Sequence, residues 1–289
     1  MPVCADSRLA WLAAAQNPDG GWGYFRGKRS WLEPTAFALL ALSADSRRAS
    51  ACNRGWDLVR SWQLPDGGWR PCAQVNRAHW TTALAVTLHA RLARQATPDG
   101  AAALGRGVAW LVRTTGAENR PLRRLAHWLK PRVVEFDPQL SGWPWQPGDS
   151  SWIEPTAHTL MALKCTARGN REAAQRIECG ERLLLDRRCA DGGWNYGNRT
   201  VLRRDLPSYP ETTALALLAL AGNRSLDWER ALARAERSWR ETSSPLARAW
   251  LAVCLARYGR ALPGAFAENT TGDILVCSVE AMACSRVLG

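Results

Sequence analysis

The sequence of 289 residues has few aromatic residues other than tryptophan: 4 Tyr and 4 Phe stand against 16 Trp. Its 9 Cys include no C-x-x-C pair and follow no regular spacing, and Cys165, Cys254, Cys277 and Cys284 lie in apolar helical stretches. That pattern excludes a disulfide framework or a zinc cluster, and the expectation is reduced thiols in a cytoplasmic protein. No apolar run approaches the roughly 18 residues that span a bilayer. Residues 1–15 lack a charged stretch followed by a long apolar core, so no secretory leader is expected. No strand-like alternation is present, which leaves an all-α reading. Basic residues are not gathered into a nucleic-acid-type run; the Arg-Arg pairs at 47–48, 123–124, 187–188 and 203–204 are scattered. The net charge of +12 therefore points to a membrane surface or a phosphorylated small molecule rather than to nucleic acid.

Tryptophan is abundant because it marks a repeat. Three turns read Asp19-Gly-Gly-Trp22, Asp66-Gly-Gly-Trp69 and Asp191-Gly-Gly-Trp194, and a degenerate fourth reads Ser141-Gly-Trp143-Pro-Trp145. Downstream stand Ser30-Trp-Leu-Glu-Pro-Thr-Ala36, Ser151-Trp-Ile-Glu-Pro-Thr-Ala157 and Ser208-Tyr-Pro-Glu-Thr-Thr-Ala214; the second unit keeps only Trp80-Thr-Thr-Ala83. Each opens an Ala/Leu-rich run apolar on all sides, as expected of a helix surrounded by helices. The segments before the turns are amphipathic and predict outer helices. A fifth pair spans Trp228 to Trp239 and Pro245 to Leu255, and a closing helix runs from about Gly272 to Arg286. Residues 1–289 thus read as one domain of about five helix pairs plus a closing helix, with an insertion at about 112–136. One unit cannot bury its own apolar face, so the units must assemble together.

The segments Trp11-Leu-Ala-Ala-Ala-Gln-Asn-Pro-Asp-Gly-Gly-Trp22 and Val59-Arg-Ser-Trp-Gln-Leu-Pro-Asp-Gly-Gly-Trp69 resemble the QW motif of squalene-hopene and oxidosqualene cyclases. Related repeats occur in class II diterpene cyclases and protein prenyltransferase β-subunits. The resemblance covers about 220 residues as repeats. It implies an α/α toroid with its chemistry at the tops of inner helices around a central cavity, and D-G-G-W residues serving as structural ties. The family's D-x-D-D acid motif is absent, but Glu33, Glu154 and Glu211 stand in register with its middle acid. The prenyltransferase zinc ligands and an acidic D-D-x-x-D magnesium motif are also absent, so no metal and no cofactor are expected.

Side chains at i, i+4 and i+7 share a helix face. Glu33, Phe37 and Leu40 form one such face; Glu154, His158 and Met161 a second; Glu211, Leu215 and Leu218 a third. Trp80, Leu84 and Thr87 form the fourth, with Arg248 expected from the fifth unit. Turned inward, these faces make an apolar cavity with a few polar groups at its mouth, suited to a long hydrocarbon with one reactive end. Glu33, Glu154 and Glu211 are then candidate proton donors, and His158 a further catalytic candidate. Phe37, Trp80, Trp152, Met161 and Arg248 are candidate substrate-binding residues. Another reading stays open: a Glu in a first helical turn also serves the macrodipole, and a lone His in an apolar helix can be a core residue.

The reading is an isoprenoid-handling protein, catalysing acid-initiated cyclisation or isomerisation of a polyprenyl chain. A non-catalytic isoprenoid- or lipid-binding toroid and transfer from a prenyl diphosphate are the alternatives. The basic segment 120–132, with Trp128 and leucines interleaved, reads as an interfacial helix for peripheral contact with the inner membrane surface.

Overall fold

A computed structural model describes residues 2–92, 97–119, 136–166, 169–260, 266 and 272–285. The basic segment 120–132 and most of the 112–136 insertion lie outside the described residues. Eleven α-helices are present among them. Five are outer: α1 (Pro2–Ala14), α3 (Ala49–Ser61), α5 (Pro98–Arg113), α7 (Arg171–Asp186) and α9 (Trp228–Glu241). Six are inner: α2 (Leu32–Leu42), α4 (Thr82–Arg91), α6 (Ile153–Thr166), α8 (Pro210–Ala219), α10 (Pro245–Arg257) and the closing α11 (Ile274–Ser285).

Burial follows composition. In α2 every residue but Glu33 is buried, and α8 is buried from Thr212 to Ala219. A helix apolar all round is stable only when neighbours cover each side. The inner helices satisfy this by packing in a ring in the order α2, α4, α6, α8, α10, α11 and back to α2. The amphipathic outer helices cover the ring; α3 buries only Ala51, Gly55 and Val59. The result is an all-α, α/α toroid. Its ring closes between the first and last elements. Arg8 of α1 pairs with Glu280 of α11 at 2.8 Å, both buried. The Ile274 N–H donates to the Tyr24 carbonyl at 2.8 Å.

The Trp turns tie four of the inner helices to their outer partners. The indole N–H groups of Trp22, Trp69, Trp143 and Trp194 donate to the carbonyls of Leu12, Val59, Leu111 and Leu184. Their backbone N–H groups donate to the hydroxyls of Thr35, Thr82, Thr156 and Thr213, on α2, α4, α6 and α8. All four indoles are buried, so a missing partner would cost about 1–3 kcal/mol each. The first turn glycines, Gly20, Gly67 and Gly192, have φ of +90°, +93° and +96°, a conformation that strongly favours glycine. The side-chain amides of Gln16 and Gln63 donate to a turn carbonyl and to a carbonyl of the next outer helix (Ala51 and Ala103). Consecutive units are thereby stitched together.

Three of the four indoles also abut a glycine of the next outer helix: Trp22 on Gly55, Trp69 on Gly107, Trp143 on Gly180. A Cβ at Gly107 would meet the Trp69 ring at 2.6 Å, whereas a Cβ at Gly105, on the same helix, meets nothing within 4 Å. Two substitutions on α5 should therefore move stability in opposite directions. Gly107→Ala is expected to destabilise by about 1–3 kcal/mol through overpacking. Gly105→Ala is expected to stabilise by about 0.5–1 kcal/mol through lower backbone entropy. Urea midpoints of the two variants against the parent check both signs.

Candidate active site

The inner helices run parallel around the ring, so their first turns gather at one end. Glu33, Glu154 and Glu211 lie in the first turns of α2, α6 and α8. Each stands two residues before the threonine that accepts a turn Trp N–H, which sets them at one height. The Tyr24 hydroxyl donates to Glu33, and the Ser244 hydroxyl donates to Glu211 at 3.2 Å. Among the described residues none donates a hydrogen bond to Glu154.

Burial pushes the Glu154 carboxyl up to about 8, and the neighbouring charges of Glu33 and Glu211 add to the effect. Glu33 is also raised by burial, with the Tyr24 hydrogen bond working against this and Asp273 adding to it. Desolvation and Glu33 raise the Tyr24 phenol, so it acts as a donor and not as an anion. A helix N-terminus favours an ionised carboxylate by about 0.3–1 kcal/mol, which is less than one pKa unit. At Glu154 burial wins, and the group keeps its proton at neutral pH.

One turn deeper lies an aromatic tier. His158 of α6 has ring centroids at 5.4 Å from Trp80, 5.9 Å from Phe37 and 5.8 Å from Trp250. Phe37 meets Trp250 edge-on at 5.3 Å, and Trp80 meets Trp145 edge-on at 5.1 Å. Burial holds the His158 imidazole down at about 3, so it is neutral and able to accept a proton. Trp80 stands in α4's register at the place the other units give to glutamate.

Beyond the tier opens a cavity of about 260 Å3. Phe37, Leu40, Leu84, Thr87, His158, Met161, Leu218 and Trp250 form its wall, and Arg91, Lys164 and Arg257 stand where the inner helices end. The Lys164 ammonium donates to the carbonyls of Ala219 and Ala221 and pairs with Glu181. The barrel thus has a carboxylate end, an aromatic waist and a basic end. Among the described residues no group of three or more His, Cys, Asp or Glu is arranged to hold a metal ion.

Two expected binding residues lie elsewhere. Arg248 faces outward from α10: its guanidinium stacks on the Trp239 ring at 4.3 Å and donates to the Trp239 carbonyl. The Arg248 side chain therefore meets Trp239 of the outer helix α9. Trp152 precedes α6 and sits half-buried beside Gly197 at the rim, not in the cavity. Tyr24, Tyr196 and Trp145 escaped sequence reading although they carry a signal. Each stands two residues after a turn Trp, in three of the four units. Trp250 gave no comparable signal, since α10 is apolar on most sides.

No family model matches the chain. Two drimenyl diphosphate synthases are similar over short stretches. That of Streptantibioticus cattleyicolor is 45% identical over 60 residues, 21% of this chain and 11% of the relative. That of Streptomyces showdoensis is 40% identical over 68 residues, 23% of this chain and 13% of the relative. The matched stretch therefore spans little more than a tenth of these relatives' length. A solved type II terpene cyclase from Scytonema, in complex with geranylgeranyl dihydroxybenzoate, covers 99% of this chain and 97% of its own at 16% identity, with a TM-score of 0.63. An ent-copalyl diphosphate synthase from Streptomyces platensis matches 97% of this chain and 45% of its own, at 18% identity and a TM-score of 0.51. The chain has the α/α-toroid fold of the terpenoid cyclase-like proteins.

The raised Glu154 carboxyl has a consequence for stability. Its folded pKa of about 8 lies above the 4.5 of an ordinary glutamic acid, so between those values the folded chain holds a proton that the unfolded chain has lost. The contribution is full below 4.5 and falls as pH rises towards 8, at up to about 1.4 kcal/mol per pH unit. Glu154→Gln cannot ionise. Urea unfolding between pH 5 and 8 should show the parent losing stability relative to the Glu154→Gln variant; parallel curves would contradict the assignment.

Proposed function

We propose that the chain is a terpene cyclase-type enzyme in which Glu154 is the acid that starts the reaction on an isoprenoid chain. The observation that carries this reading is a protonated carboxyl one helical turn from an aromatic-walled apolar cavity. Proton transfer to an alkene needs an acid that is un-ionised at working pH and lies within reach of bound hydrocarbon. Glu154 meets the first condition through burial, and its place on α6, directly above His158, supports the second.

The step balances as follows. The Glu154 O–H bond breaks, its proton adds to a terminal trisubstituted C=C, and a tertiary cation forms beside the carboxylate left behind. The next C=C attacks that cation and closes a ring. Loss of a proton from the last cation to the neutral His158 imidazole restores a C=C, and proton exchange between imidazolium and carboxylate resets the site. The product is an isomer of the substrate. The faces and edges of Phe37, Trp80 and Trp250 surround the positive charge, at roughly 0.5–2 kcal/mol for each well-placed ring.

The cavity of about 260 Å3 falls just below the usual range for ligand sites, roughly 300–1,000 Å3, which favours a short prenyl chain. The basic end supports a substrate with an anionic head there and its hydrocarbon tail directed through the waist to Glu154. The names of the similar proteins, drimenyl diphosphate synthases, agree with a prenyl diphosphate substrate.

Incubation with farnesyl diphosphate, farnesol and squalene, with products read by mass spectrometry, tests this. The diphosphate is expected to give an isomer of unchanged mass. Glu154→Gln should slow its formation by about 10²–10⁴, the usual worth of a general acid. Arg257→Ala should raise KM with little effect on kcat. The parent rate should decline as pH passes about 8, where Glu154 ionises. Isomer formation unaffected by Glu154→Gln would sink the acid assignment; retained isoprenoid without turnover would make the chain a binding module.

A further inference from the structure

The third unit departs from the repeat at its turn. In the first and fourth units the turn acid accepts the hydroxyl of a serine that stands three residues before a glutamate. Ser30, before Glu33, donates to Asp19 at 2.7 Å, and Ser208, before Glu211, donates to Asp191 at 2.8 Å. Asp191 also takes the Ser208 N–H at 3.1 Å. In the third unit Leu140 stands where that acid would be, so Ser151, three residues before Glu154, lacks its turn partner. Glu118 supplies the missing carboxylate. It lies on the short helical turn Ala117–Asn119 that follows α5, and accepts the Ser151 N–H at 2.7 Å and the Ser151 hydroxyl at 3.0 Å.

The substitute differs from the original in burial. Asp19 and Asp191 are exposed, whereas Glu118 is 6% exposed and its ionic partner Arg187 is 3% exposed. Arg187 follows α7 directly and lies 3.9 Å from Glu118 and 3.7 Å from Asp186. The Phe136 ring covers its guanidinium at 4.5 Å. Its Nη1 donates to the Gly197 carbonyl at 2.6 Å, and the adjoining Tyr196 carbonyl accepts the Ile153 N–H at 3.0 Å. One buried ion pair thereby grips the start of α6 twice: Glu118 holds Ser151, and Arg187 holds the loop that bonds Ile153. Such a pair adds little stability over apolar packing, because desolvation offsets the attraction. Stability alone does not account for it.

Fixed geometry matters more at Glu154 than at its counterparts. Tyr24 and Ser244 hold the side chains of Glu33 and Glu211, but among the described residues none donates to Glu154. Without a side-chain anchor, the place of this carboxyl follows from its backbone. A shift of about 1 Å at a reacting group can cost roughly 10² in rate.

We propose that Glu118 and Arg187 are positioning residues for Glu154, their ion pair fixing the first turn of α6 so that the carboxyl stays aimed at bound hydrocarbon and shut off from water. The inference rests on the acid role assigned to Glu154 under the proposed function, and its test includes a readout that needs no turnover. Glu118→Asp keeps the charge beside Arg187 but draws the acceptor back by one methylene. Asp191→Asn disturbs the matching serine contact in the fourth unit and is the control. Turnover of farnesyl diphosphate gives kcat and KM. Carboxyl 13C NMR of glutamate-labelled protein follows Glu154, whose resonance is assigned by its absence from Glu154→Gln.

Glu118→Asp should lower kcat by about 10² and leave KM at the parent value, because the cavity wall and the basic end are untouched. The Glu154 midpoint should fall from about 8 towards 4.5 as water reaches the carboxyl. Glu118→Gln, which keeps the length and an acceptor for the Ser151 N–H, should keep most of the parent's kcat. Asp191→Asn should match the parent in both readouts. If Glu118→Asp does not fold, Arg187→Lys takes its place with the same expectations, since lysine keeps the charge but not the planar stack on Phe136. Parent values in both readouts, or equal losses in Glu118→Asp and Asp191→Asn, would overturn the positioning role. A parent that makes no isomer would overturn the reading of Glu154 as the acid. In that case a Glu154 midpoint that moves in Glu118→Asp still supports the positioning role, and one that stays near 8 overturns it.

Discussion

The buried indole of each turn tryptophan is the contact on which the rest of the toroid depends. Its ring N–H bonds the end of one outer helix, its backbone N–H bonds a threonine of the following inner helix, and at Trp22, Trp69 and Trp143 its ring packs on a glycine of the next outer helix. A single residue thereby sets three helices relative to one another. The threonine contact has the longest reach. It fixes the height of α2, α4, α6 and α8, and the glutamates stand two residues upstream of Thr35, Thr156 and Thr213. The carboxylates therefore converge because the scaffold repeats, and the tie that builds the barrel also composes its carboxylate end.

Convergence carries an electrostatic cost that the site turns to use. Three carboxylates at one end of an apolar barrel cannot all ionise cheaply. Tyr24 and Ser244 supply hydrogen bonds to Glu33 and Glu211, leaving Glu154 as the member of the trio without one among the described residues. In the second unit Trp80 takes the glutamate's place and supplies a ring instead of a fourth charge. The same low-dielectric surroundings that keep Glu154 protonated keep His158 neutral. A carboxyl raised by burial and an imidazole lowered by it thus sit one turn apart on α6.

The two ends of the barrel differ in kind. The carboxylate end is rimmed by exposed aromatic residues and leucines, while the cavity end carries Arg91, Lys164 and Arg257 where the inner helices finish. Cations suit helix C-termini for structural reasons alone, and Lys164 serves one directly by bonding the carbonyls that end α8. The polarity of the barrel therefore begins as helix electrostatics, and the cavity between the ends inherits it. An amphiphile inside would feel a direction.

Much of this was legible before any coordinates. The D-G-G-W turns and the Ala/Leu runs required paired helices, because period and composition are local properties of the chain. Spacing by i, i+4 and i+7 set Phe37, His158 and Met161 on one side of their helices with the glutamates. Arg248 showed the limit: which side of α10 faces inward depends on what packs behind it, and Trp239 of the outer layer holds the guanidinium. Trp250 was unreadable for the same reason, since a helix apolar on most sides conceals its orientation. By itself the sequence determined the repeat, the helices and the register of the carboxylates within them. Only the tertiary structure decided that burial would raise the Glu154 carboxyl, because desolvation is set by helices that lie far away along the chain.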